Sequence, residues 1–78
     1  MVAPLPCSDL IVVGEALFGP HWKVDVSRHL GITYRTLMRW LASDADLAPE
    51  HVVVLRLLVR SRLAALEEAR KLLWSKRF

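Results

Sequence analysis

An all-α fold of four to five helices, the last of them long, is predicted by three features of the chain. Apolar residues recur three or four apart over most of its length, as on one face of a helix. Residues that start or stop helices punctuate that pattern, at Ser8, Gly19-Pro20, Gly31, Thr33 and Pro49. Strand signals are poor: no hairpin dipeptide occurs, and Val52–Val54 lies inside a longer helical pattern.

The first helix is expected from about Asp9 to Phe18. Ser8 can cap it, Gly19-Pro20 stops it, and Leu10, Val13, Leu17 and Phe18 share a face. A short second helix follows from Lys23 to Leu30. Gly31 ends it by supplying the left-handed backbone of a tight turn. Thr33 caps a third helix reaching about Ala42, with Ile32, Leu37 and Trp40 as its apolar contributions. Pro49 suits the first turn of a fourth helix, where a missing N–H costs nothing. Its stripe runs through Val52, Leu55, Val59, Leu63, Leu66, Ala69 and Leu73, so the helix spans 49–75. Such a rod, about 40 Å long, outruns three short helices. Its distal half therefore needs another partner.

With 78 residues and no linker or repeat, the chain 1–78 reads as one domain. Surface scaling for 8.9 kDa gives roughly 8,000 Å² buried on folding. About 60% of it apolar supplies on the order of 120 kcal/mol at ~25 cal/mol per Å², and ordering the chain costs about as much. A lone monomer would be marginal. Yet 54% of the residues are hydrophobic, more than so small a body can hide. Exposed apolar surface of that kind marks association, and a homodimer is expected. The longest apolar runs, Leu10–Gly14 and Val52–Leu55, are far too short to span a bilayer. No secretory leader is expected either, so the predicted location is cytoplasmic. Cys7 is alone and reads as a small apolar residue rather than a disulfide partner or metal ligand.

Charge is unevenly spread. Residues 1–19 carry −2, residues 20–43 carry +3 and residues 44–78 carry +2. The basic middle segment, with Lys23, Arg28, Arg35 and Arg39 against Asp25, is also where a second pattern lies. Gly31 sits between two short helices, with the small Ser27 four positions before it. Val26 and Leu30 stand five and one before the glycine; Ile32, Leu37 and Trp40 stand one, six and nine after it. On these residues the segment Lys23 to Trp40 resembles the helix-turn-helix of the Cro/repressor-type (XRE-like) family. Alanine is commoner in that family where Ser27 stands. The likeness covers about residues 9–60, with the motif itself at 23–42, and leaves out the distal part of the long helix.

The resemblance implies sequence-specific binding to double-stranded DNA by a small, phage-type transcriptional regulator. It implies base-edge contacts from Tyr34, Arg35 and Arg39 in the major groove, where arginine grips guanine O6 and N7. Backbone contacts are expected from His21, Lys23, Thr33 and Thr36, while Arg28 is expected to face solvent. Small phage-type and anti-CRISPR-associated repressors, which look broadly similar, add an expectation of autoregulation. The stripe Leu55, Val59, Leu63, Leu66 and Leu73 is the expected dimer interface, with parallel and antiparallel crossings both open. Arg56, Arg60, Arg70 and Lys71 are expected on its outer face, and Glu67 with Lys71 as an i,i+4 pair. Trp22 and Trp40 are expected in the core, Trp74 and Phe78 at the interface.

No catalytic residues are expected, because no nucleophile, base and orienting third group can be assembled. His21, His29 and His51 lack metal-ligand spacing, so neither a metal nor another cofactor is expected. No small-molecule effector is apparent. The competing class is a protein-interaction module, a helical adaptor or antitoxin-like subunit whose long helix binds a different protein.

Overall fold

Leu5–Pro6 (β1) opens the described part of the chain, which in this computed structural model covers residues 3–75. Four α-helices follow: α1 (Cys7–Phe18), α2 (Trp22–Leu30), α3 (Tyr34–Ser43) and α4 (Pro49–Ser75). A single 3-10 turn, Gly19–His21, joins α1 to α2, and Asp46–Leu47 (β2) lies between α3 and α4. Three short helices and one long one thus make up the helical part, with no fifth α-helix among the described residues. No described helix is long and apolar enough to cross a membrane.

The β1–β2 pair is a departure from the all-helical expectation. Leu5 faces Leu47 and Pro6 faces Asp46 in a two-residue antiparallel ladder. Two residues are too few for alternation to show, and Pro6 has no N–H to give. The pair also moves the start of α1. Pro6 occupies the cap position with extended backbone, and no side chain caps the helix, so Ser8 lies inside the first turn. Buried Cys7 draws the helix start into the core, ahead of the residue best suited to cap it.

The core forms where α1, α2 and α3 meet the proximal part of α4. Leu10, Val26, Leu37 and Leu47 are its most deeply enclosed large side chains. On α1, Leu10, Gly14 and Leu17 line the inner face at intervals of four and three. Gly14 matters for what it lacks: a Cβ there would overlap the six-membered ring of buried Trp22. The glycine lets α1 and the start of α2 close together. Trp40 is only half-buried and tilts against His51, with ring centroids 5.6 Å apart.

α4 divides into two halves by environment. Val52 and Leu55 are buried in the core, Leu58 and Val59 are half-buried, and every residue from Arg60 to Ser75 is exposed. The projecting half gives the body its extents of 51 × 29 × 20 Å. Leu55 is therefore covered within the chain's own core. Its stripe-mates Leu63, Leu66 and Leu73 stay open to solvent. Glu67 pairs with Arg70 at 2.9 Å instead of Lys71, which lies 3.7 Å from Glu68. Both pairs are three residues apart. Trp74 is exposed, and Phe78 lies outside the described residues.

Candidate nucleic-acid interface

The α2–α3 turn is built by local hydrogen bonds. Gly31 adopts φ 71°, a left-handed backbone that favours glycine. Its N–H donates to the carbonyl of Arg28 at 3.2 Å, and the Ile32 N–H donates to that of Ser27 at 3.0 Å. These are the two bonds of a Schellman cap, which satisfies the last carbonyls of α2. Ile32 then packs against the core. Ser27 is buried, and its hydroxyl donates to the Val24 carbonyl at 2.8 Å. That bond lets a polar residue stand where the two helices require a small one.

Thr33 caps α3 as its spacing predicts. Its hydroxyl oxygen accepts from the Thr36 N–H at 3.1 Å, and its own proton goes to the Thr36 hydroxyl at 2.9 Å. The Thr33 hydroxyl is thus committed to the helix terminus. The Thr36 hydroxyl still has its proton to offer a ligand at this end.

Successive residues of α3 turn by about 100°. Leu37 faces fully inward, and Trp40 and Leu41 flank it. Arg35 and Arg39 lie on the opposite side, with Ala42 and Ser43 completing an exposed arc. Tyr34, the first residue of α3, is exposed to one side of that arc. Among the described residues neither arginine makes a salt bridge. The face is therefore a helical ridge, with two long cations toward its start and small side chains toward its end. Arg28, on α2, is exposed as expected.

The positions expected to hold phosphates divide. Lys23 is half-buried at a shallow cleft where α1, α2 and α3 meet, beside Met38 and Ala42. This sets Lys23 beside one edge of the α3 ridge. His21 is exposed at the end of the 3-10 turn and gives no side-chain cap to α2. Three neighbours lie outside the motif's expected contacts. Glu15 of α1, an exposed acid, lines the same cleft as Lys23. Ala42 and Ser43 extend the exposed ridge by a turn, a feature recoverable by continuing the helical phase from Arg35 and Arg39.

The other histidines have aromatic surroundings. His29 stacks on Phe18 with centroids 5.5 Å apart and planes 12° from parallel. The Arg62 guanidinium lies 5.7 Å from the centroid of the same Phe18 ring. No cluster of three or more metal-ligating side chains occurs among the described residues. Burial pushes the Cys7 thiol above its usual range, with smaller contributions from the Asp44 and Asp46 carboxylates. That environment disfavours the thiolate. No family model, curated protein or solved structure matches the chain.

Proposed function

We propose that this chain is a sequence-specific DNA-binding regulator that works as a homodimer, with α3 as its reading helix. The observation that carries the proposal is the exposed α3 ridge, anchored from behind by Leu37 and presenting Arg35 and Arg39 outward. A helix of this shape fits the B-DNA major groove, and paired arginines there discriminate guanine by bidentate hydrogen bonds. Tyr34 contributes at the N-terminal end. Lys23, His21 and the Thr36 hydroxyl hold flanking phosphates, together with the N–H groups at the start of α2. Thr33 acts through its cap, by fixing where α3 begins. Two copies place their α3 helices in successive major grooves, about 34 Å apart, and read an inverted repeat. The regulator acts as a repressor at the nucleoid and is controlled by its own concentration, as in the regulators its motif resembles.

Selection of bound sites from random duplex DNA tests this reading. The expected product is a palindromic site whose affinity falls steeply with salt. Arg35→Ala and Arg39→Ala should each cost roughly 1–3 kcal/mol of discrimination at one base pair. The helical content of the dimer should be unchanged. Specific binding retained by the double variant would sink the assignment of α3.

A second reading is favoured by one observation, the row of exposed leucines on distal α4. An adaptor or antitoxin-like subunit would use that row to hold a different protein. A chain that is monomeric alone and indifferent to DNA supports it.

A further inference from the structure

An apolar groove runs between α1 and α4, and the exposed end of α4 carries apolar side chains that can fill it. One section lies between Val12 and Ala16 of α1 and Val59 and Leu63 of α4. The other continues over Leu5 and Val52 toward the N-terminal end of α4. Val13 and Val59 line both sections, so the two adjoin. Its basic rim carries Arg56, Arg60 and Arg62.

We infer that the occupant is the segment Leu66–Ser75 of α4 from a second copy of this chain, lying antiparallel. A chain cannot fill its own groove, because α4 is one uninterrupted helix and its distal half points away. The distal segment is amphipathic, with Leu66, Ala69 and Leu73 within a third of the helix circumference and Trp74 nearby. Leu66, Leu73 and Trp74 are 59%, 62% and 78% exposed, and Val12 on the groove wall is 68% exposed. With Leu63, these side chains expose on the order of 600 Å² per subunit, most of the roughly 800 Å² that each partner buries in a stable interface.

Charge and length set the direction. Placing Leu63 opposite Leu66 of the partner subunit in an antiparallel crossing brings Arg62 to Glu67 of the partner subunit. Arg60 then comes within one residue of the partner subunit's Glu68. Leu73 of the partner subunit reaches Arg56, at the section near Leu5. That section is the larger, about 660 Å³ against 270 Å³, and receives the bulkiest end of the arm, Leu73 and Trp74. The arm from Leu66 to Ser75 spans about 14 Å, and α4 from Leu63 back to Val52 spans about 17 Å. A parallel crossing would set Glu67 beside Glu67 of the partner subunit and leave the α1 groove uncovered.

This inference rests on the homodimer proposed above but not on its DNA reading, and its test uses no DNA. Cysteines are placed by Arg56→Cys and Leu73→Cys, separately and together, in the full chain, where native Cys7 is buried. On mild oxidation the paired variant should form a covalent dimer. Leu73→Cys alone should not, because its two copies lie about 25 Å apart in this register. Charge reversal gives a second readout. Glu67→Arg with Glu68→Arg should raise the dimer dissociation constant roughly tenfold. Adding Arg60→Glu and Arg62→Glu should restore it, with circular dichroism verifying that each variant is helical. Efficient cross-linking by Leu73→Cys alone would establish a parallel dimer and overturn the inference. A wild-type chain that sediments as a monomer at high concentration would overturn it as well. Cross-linking as expected in a protein that ignores DNA would refute only the proposed function.

Discussion

Replacing Gly14 by alanine sets two effects against each other, and their sizes decide the sign. Gly14 lies inside α1, where alanine is favoured over glycine by about 1 kcal/mol when there is room for its methyl. The structure leaves none, because the added Cβ would overlap the ring of Trp22. Trp22 is 2% exposed, so the ring cannot swing into solvent. It also begins α2, so relief requires the two helices to separate. Overpacking by a single methyl costs about 1–3 kcal/mol, toward the upper end when backbone must move. An overlap cost of ~3 kcal/mol less the propensity gain leaves about 2 kcal/mol of net destabilisation. For a domain this small, that lowers Tm by roughly 8–16 °C. The assay is thermal unfolding followed by circular dichroism, with protein concentration held constant because association also shifts Tm. Trp22→Leu should be strongly destabilising by itself. In a double-mutant cycle, however, Gly14→Ala should cost much less on that background. A Gly14→Ala variant with a raised Tm would refute the packing argument.

Other consequences follow from the turn, the cleft and the thiol. Thr33→Ala removes the α3 cap and should cost about 1 kcal/mol in urea unfolding, while Thr33→Ser should recover most of it. Glu15→Gln removes a carboxylate from the cleft that holds Lys23. In the proposed DNA complex its repulsion of a phosphate through water is ~0.5 kcal/mol or less, so affinity in low salt should rise by up to about twofold, with the gain shrinking as salt is added. Cys7 is expected to be a source of alkaline destabilisation. Its folded-state pKa is raised, so its contribution is intact below the ordinary thiol value of 9.0 and is lost as pH climbs past it. Unfolding free energy measured against pH should decline on that limb, and the decline should flatten in Cys7→Ala after its lower neutral-pH stability is subtracted.

Much of the fold is legible in the sequence because it is enforced locally. Gly31 needs only its own backbone freedom to end α2, Thr33 needs only Thr36 to cap α3, and Pro49 starts α4 where the missing N–H is harmless. The exposure of Arg35 and Arg39 follows from helical phase once Leu37 is assigned inward, whereas Tyr34, three residues before Leu37, is exposed because it opens the helix. What the sequence hides depends on residues far apart. Ser8 is the better cap by type, but the pairing of Pro6 with Asp46 sets where α1 begins. The value of Gly14 appears only when Trp22 arrives against it. Leu55 and Leu66 are equivalent in the periodic stripe, yet the first is covered by the chain's own core and the second is open. Periodicity identifies an apolar face, but only the reach of neighbouring elements decides how far along a helix that face is covered. The candidate site shares this limit: the ridge is a local property of α3, whereas the approach of Glu15 to Lys23 requires the packing of α1 on α2.

The two ends of α4 do different physical work through one rigid element. Val52 and Leu55 fix the proximal end in the core that carries α3, and β2 holds Leu47 beneath the connection between the two helices. Beyond Pro49 the helix contains no glycine or proline, so it has no inbuilt hinge. Any partner that immobilises Leu66–Ser75 therefore immobilises the direction in which Arg35 and Arg39 point. In an antiparallel crossing, moving the contact outward by one helical turn separates the two cores by about 11 Å along the helix axis, since both subunits move by about 5.4 Å. That distance is about three base-pair steps, enough to take two reading helices out of phase with successive major grooves. The apolar residues of distal α4 would thus limit operator spacing without contacting DNA. In this reading, their exposure in the monomer leaves the choice of spacing to assembly.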